Sequence, residues 1–135
     1  MLKVALGKAQ HVSIFGADYE TEDGSCVRDY VHVVDIADAH LKALSRIDGV
    51  GVRAYNLGSE RGYSVLEVVK TAERVTGVGI PVVFEPRRAG DPPVLVASSE
   101  LARKELGWSP HYPELEDIVR SAWQWQSKFP DGYSS

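Results

Sequence analysis

Apolar residues fall in short blocks whose spacing switches between two and three-to-four, so the chain predicts an alternation of strands and helices. Met1 to Leu6 is apolar with Lys3 interposed, and Gly7 follows as a helix-ending glycine. That reads as the end of a helix whose beginning is missing. His11 to Phe15 alternates and carries β-branched residues, a strand signal, and Gly16 to Ser25 is a polar, glycine-containing loop. Val27 to Val34 alternates again, with Val27, Asp29, Val31 and Val33 on one face and Arg28, Tyr30 and His32 on the other. Asp35 then caps a helix carrying Ile36, Ala39, Ala43, Leu44 and Ile47, which Gly49 ends. Val52 to Leu57 is a short strand. Ser64 and Glu67 form a capping box ahead of the apolar face Val65, Val68, Val69, Ala72 and Val75, closed by Gly77. A strand over Pro81 to Phe84 leads into the turn-rich Pro86 to Pro93. Ser98 or Ser99 caps a short helix ending at Gly107. The last helix follows Pro113, with acids at its start and Lys128 at its end, as the helix dipole favours.

Composition adds limits rather than a function. At 135 residues, 44% hydrophobic and 25% charged, the chain is one ordinary globular domain with enough residues to bury a core. A net charge of −4 without a basic stripe argues against nucleic acid or an anionic membrane as partner. No apolar run is long enough to span a bilayer, no signal peptide is evident, and the single Cys26 cannot form an internal disulfide. A cytoplasmic setting is the expectation.

The chemistry legible from residues alone is incomplete. No tyrosine is followed four positions later by lysine, and no glycine-rich loop joins a strand to a helix, since Gly77 and Gly79 follow a helix. Two arginine-bearing segments remain. Arg28 and Tyr30 share a strand face, and Arg87, Arg88 and Asp91 lie in a glycine- and proline-rich loop. Guanidinium groups grip phosphate oxygens and a carboxylate accepts bonds from sugar hydroxyls, so an anionic, hydroxylated ligand suits the set. The competing reading pairs Arg28 with Asp29 or Glu22 and leaves Arg87 and Arg88 on a solvated turn. Asp35, Asp38 and His40 are read as helix-start residues rather than metal ligands, and His32 as a structural hydrogen-bonding group. Trp123 is assigned to the core, Trp125 to docking of the terminal tail, and Cys26 to an inert small residue.

The segment from Asp18 to Val33, which contains Asp23-Gly24-Ser25-Cys26-Val27-Arg28-Asp29-Tyr30-Val31-His32, closely resembles a stretch of UDP-glucose 4-epimerases. Tyr55-Asn56-Leu57-Gly58 with Ser64-Val65, Arg87 to Pro92, Glu105 to Trp108, Ala122 to Trp125 and Pro130 to Tyr133 are similar to further segments of that family in the same order. The resemblance implies a mixed α/β architecture over residues 1–135: the C-terminal substrate-binding lobe of an extended short-chain dehydrogenase, short strands with about four helices, its Rossmann domain missing. It implies that the intact enzyme uses NAD to take hydride from C4 of a UDP-hexose, while a tyrosine removes the hydroxyl proton. It further implies that Arg28 and Arg88 contact the diphosphate, Tyr30 lines the nucleotide pocket, Asp91 binds ribose and Leu95 flanks the sugar. No catalytic residue, NAD site or metal is expected in this chain alone. The expected partners are a UDP-hexose, the missing dinucleotide-binding domain and a homo-oligomer. Related N-acetylglucosamine epimerases, sugar-nucleotide decarboxylases and dehydratases stay open, as does a non-catalytic assembly module.

Overall fold

The computed structural model describes residues 1–47 and 51–133. It is mixed α/β, with the helices α1 (Leu2–Ala5), α2 (Val33–Leu44), α3 (Val65–Thr76), α4 (Glu100–Leu106) and α5 (Leu115–Lys128). The strands are β1 (Val12–Phe15), β2 (Val27–Asp29), β3 (Gly62–Ser64), β4 (Val82–Glu85) and β5 (Val94–Leu95). β1 and β4 form a parallel pair in register from Val12 opposite Val82 to Phe15 opposite Glu85. The second sheet has the order β3-β2-β5, with β2 antiparallel to β3 and parallel to β5.

Two apolar clusters hold these layers. In the first, Val68, Val69 and Ala72 of α3 meet Leu115 and Val119 of α5, with Val4, Ile14, Tyr63 and Ile80. Val65 and Val75 pack at its margin, so the whole predicted stripe of α3 faces inward. The start of α3 is the predicted capping box: Ser64 Oγ accepts from the Glu67 N–H at 3.0 Å, and Glu67 Oε2 accepts from the Ser64 N–H at 2.7 Å. Gly77 ends the helix at φ +71°, where a side chain would be strained. In the second cluster, Ala39 of α2 meets Ala102 and Leu106 of α4 and the buried Trp108, with Val31, Ala43, Tyr55 and Leu57 at the margin.

Several expectations need correction. The alternating run from Val27 stops pairing at Asp29, because β3 and β5 are themselves only three and two residues long. The helix then starts at Val33, and its cap is His32 rather than Asp35. His32 Nδ1 accepts from the Val34 N–H at 3.1 Å, so the proton of a neutral ring lies on Nε2, which is 2.7 Å from Ser121 Oγ. The His32 ring also stacks on Tyr112 at 4.4 Å. Asp35, freed from capping, is fully buried and accepts from the N–H groups of His111 at 2.8 Å and Tyr112 at 3.0 Å. Its own carbonyl accepts from Trp108 Nε1 at 2.8 Å, so α2 holds the connection between α4 and α5. Ile36, Leu44 and Ile47 are exposed rather than in the core, and the expected helix end at Gly49 lies outside the described residues. Val52 to Leu57 belongs to no strand or sheet among the described residues. Trp108, not Trp123, is the deeply buried indole, while Trp125 packs against Phe129 and Tyr133 near the C-terminus.

Candidate functional site

β2 sits between two strands, so a residue on it is placed by both neighbours. Arg28 is opposite Tyr63 of β3 and Leu95 of β5. Its Nη1 donates to the Val27 carbonyl at 2.8 Å and the Pro92 carbonyl at 2.9 Å, and its Nη2 lies 3.6 Å from Asp91 Oδ1. The sequence alternatives for its partner, Asp29 and Glu22, are therefore replaced by Asp91. The loop ahead of β5 contains a tight turn, in which the Asp91 N–H donates to the Arg88 carbonyl at 3.3 Å. Gly90 is its third residue at φ +86°, the position at which a type II turn requires a left-handed conformation. Arg88 and Asp91 are thus the two ends of one turn, and Arg28 grips that turn from below.

The same loop is held from its other side by β1. Arg88 places its guanidinium 3.7 Å from the centre of the Phe15 ring, and Arg87 lies over the Tyr19 ring at 4.3 Å. Arg87 Nε donates to Asp18 Oδ1 at 2.7 Å, and its Nη2 donates to the Asp18 carbonyl. That bond from Arg87 holds the Asp18 carboxyl below its ordinary range. Gly16 makes the close approach possible. It sits at φ +92°, and a Cβ there would run into the Tyr19 ring and within 3.0 Å of Arg87 Cγ. Among the described residues no carboxylate pairs with Arg88, whose guanidinium lies over the Phe15 ring.

Tyr30 lies just past the end of β2 and leans on the first apolar cluster. Burial pushes its phenol up from 10.0, against a smaller downward pull from Arg28, so its hydroxyl stays protonated at neutral pH. Leu95 is more than half exposed beside Arg28. The structure therefore brings Arg28, Asp91 and Leu95 together directly, with Arg88 on the same turn, while His32 leaves their face to cap α2. Sequence reasoning missed Phe15, Asp18 and Asp29. Asp29 Oδ1 accepts from the Ser59 N–H at 3.0 Å and Ser59 Oγ at 2.6 Å, and Oδ2 accepts from the Ala97 N–H at 3.1 Å. An acid placed among the valines of a presumed inward strand face was the available signal, because such a carboxylate must find donors.

Residues 1–58 match the NAD dependent epimerase/dehydratase family. The UDP-glucose 4-epimerase of Halalkalibacterium halodurans is 51% identical over 100% of this chain, and that of Bacillus subtilis is 47% identical over 98%. The chain is homologous to the C-terminal part of UDP-glucose 4-epimerases. It spans about two fifths of these relatives: 41% of the first and 39% of the second. Solved structures agree. The UDP-glucose 4-epimerase of Bifidobacterium longum, in complex with NAD+ and UDP, superposes with a TM-score of 0.91 at 45% identity, over 98% of this chain and 39% of that one. The UDP-Glc/GlcNAc 4-epimerase of Campylobacter jejuni superposes with a TM-score of 0.83 at 42% identity, over 94% and 39%. The expected resemblance to UDP-glucose 4-epimerases and the mixed α/β class both hold.

Proposed function

We propose that this chain is the UDP-sugar-gripping portion of a UDP-glucose 4-epimerase, interconverting UDP-galactose and UDP-glucose only together with a dinucleotide-binding part. The observation that carries the reading is the convergence of Arg28 on the Arg88–Asp91 turn, 3.6 Å from Asp91 Oδ1 and 2.9 Å from the Pro92 carbonyl. Arg28 and Arg88 would receive the diphosphate, and Arg88 has no carboxylate to surrender among the described residues. Asp91, only loosely paired at 3.6 Å, is free to turn toward ribose hydroxyls. Tyr30 lines the nucleotide side with a protonated hydroxyl, and Leu95 borders the sugar. Its medium size leaves both hexose and N-acetylhexosamine substrates compatible, and the Campylobacter jejuni relative carries both sugars in its name.

NAD and the catalytic tyrosine would belong to the other part, since these 135 residues contain neither a Tyr-x-x-x-Lys pair nor a strand-to-helix glycine loop. The test is calorimetric titration of the chain with UDP, beside light scattering. Binding is expected to be weak, and Arg88→Ala should weaken it about tenfold or more, as for loss of a charge-assisted bond. A native thermal melt of the variant separates lost binding from lost folding. A stable oligomer blind to UDP would favour the non-catalytic assembly module instead.

A further inference from the structure

β1 and β4 are parallel, so the loops that leave them start at the same end of the pair. The Gly16 N–H donates to the Glu85 carbonyl at 2.8 Å, which sets the two loops side by side at their roots. They differ in how well each holds itself. The loop after β1 is braced from within: the Tyr19 N–H donates to the Gly24 carbonyl at 3.0 Å, Thr21 Oγ1 donates to the Ser25 carbonyl at 2.7 Å, and the Ser25 N–H donates to Asp23 Oδ1 at 3.0 Å. Tyr19 and Ser25 are buried in it. The loop after β4 has no such frame. Among the described residues, the only backbone hydrogen bond of residues 87–90 is the one inside their own turn, from the Asp91 N–H to the Arg88 carbonyl. Arg28 reaches the far end of that turn at Pro92, and the near end is held by the Arg87 side chain.

Arg87 is forked onto Asp18, through Nε to Oδ1 at 2.7 Å and through Nη2 to the carbonyl, and its guanidinium lies over the buried Tyr19 ring at 4.3 Å. Three contacts of different kinds fix both the place and the orientation of a planar group. Arg88 is the next residue, so its starting point is fixed with it, and its guanidinium lies 3.7 Å from the centre of the Phe15 ring. The Arg87 and Asp18 side chains are 44% and 76% exposed, and ion pairs that wet add little to stability. What the pair supplies is geometry.

We propose that Asp18 and Arg87 are positioning residues, clamping the Pro86–Pro93 loop to the braced loop after β1 and so holding Arg88 where it meets the phosphates of the ligand. The inference deepens the proposed function and rests on its assignment of Arg88 to a diphosphate. Both residues act through Arg88. Their role has a sign that charge alone does not give. Asp18→Ala removes a negative charge near an anion site, and by Coulomb attraction alone it should tighten UDP. Through positioning it should instead weaken UDP about threefold to fivefold, the worth of one ordinary hydrogen bond. Arg87→Lys keeps the positive charge, yet an ammonium cannot reproduce the fork, so a similar loss is expected.

The test is calorimetric titration of the full chain and its variants with UDP, together with NMR of the Arg88 side chain without ligand. Stacking on Phe15 places the Arg88 guanidinium protons under the ring current, so they should resonate upfield of those of a free arginine. In Asp18→Ala and Arg87→Lys these signals should return towards free-arginine values, while the remaining amide spectrum and the thermal melt stay as in the wild type. In the Arg88→Ala background, Asp18→Ala should cause no further loss of UDP affinity. Unmoved Arg88 signals in both variants, unchanged or tighter UDP binding by Asp18→Ala, or full additivity with Arg88→Ala would each overturn the proposal. A wild-type chain blind to UDP, whose Arg88 signals still shift in both variants, would sink the diphosphate reading and leave the clamp standing.

Discussion

Arg28 and Asp29 are adjacent on a three-residue strand and do different work. Arg28 points toward the Pro86–Pro93 loop, donating to the Pro92 carbonyl as well as that of Val27, with Asp91 Oδ1 3.6 Å away. Asp29 points the other way and is spent on structure, accepting three hydrogen bonds from Ser59 and Ala97. Gly58 is the counterpart of that arrangement, because a Cβ there would be driven against Asp29 Oδ2 and the Ala97 carbonyl. Asp29→Ala should strand the Ser59 and Ala97 N–H groups and cost about 3 kcal/mol, as for more than one unsatisfied donor. Urea unfolding measures it; a loss under about 0.5 kcal/mol, the range of ordinary surface substitutions, would remove Asp29 from the structural role.

The elements that were legible in advance are those whose signals are local. The capping box of α3 needs only Ser64, Glu67 and the apolar spacing behind them, and β1 and α5 likewise follow from period and flanking residues. The misread elements depend on distant partners. The run from Val27 to Val34 alternates evenly, but strand length is set by β3 and β5, which the pattern of β2 does not contain. The alternation of Val52 to Leu57 likewise did not reveal that no strand among the described residues pairs with it. Asp35 looked like a cap because acids favour helix starts, while its burial under His111 and Tyr112 comes from residues more than seventy positions away. The candidate site shows the same division: Arg28, Arg88 and Asp91 were singled out by residue chemistry and Leu95 by the family resemblance, whereas Phe15 and Asp18 entered only when β1 was seen beside the loop. At the start of α3 local and distant signals meet, since Ser64 Oγ also donates to Asp23, which accepts from the Ser25 N–H at 3.0 Å and Oγ at 2.7 Å. Partial burial, the largest single influence, pushes the Asp23 carboxyl up, but the Ser64 and Ser25 donors together leave it below 3.8. A depressed carboxyl contributes stability that is present above its unfolded value and is lost as pH falls through the folded one. Asp23→Asn should therefore flatten the loss of stability below about pH 4, measured by thermal melts across that range. A wild-type acid slope in the variant would count against the Asp23 link.

At the scale of the whole molecule, two features of the described surface stand out. One is the arginine-bearing turn, where Arg28 and Arg87 have carboxylate partners but Arg88 lies over the Phe15 ring with none among the described residues. The other is the outer side of α2, where Val33, Leu41 and Leu44 are exposed. The first suits a ligand and the second suits a protein part. On the proposed function, the arginine-bearing turn would hold the diphosphate of a nucleotide sugar, while the hydride and proton transfers at C4 would come from the other part. Arginines can orient and neutralise a diphosphate, yet they offer no basic oxygen to a sugar hydroxyl, and Tyr30 is kept protonated by burial. Incubated with UDP-galactose and NAD, the purified chain should produce no UDP-glucose above the enzyme-free background, by coupled assay or by direct chromatography of the products. Addition of the dinucleotide-binding part of a relative should restore turnover, and Arg88→Ala in this chain should lower that restored turnover chiefly through KM, because a ground-state anchor is what is lost. Conversion by the chain alone would mean that its own side chains supply the acid–base chemistry, and would overturn the division of labour between the two parts.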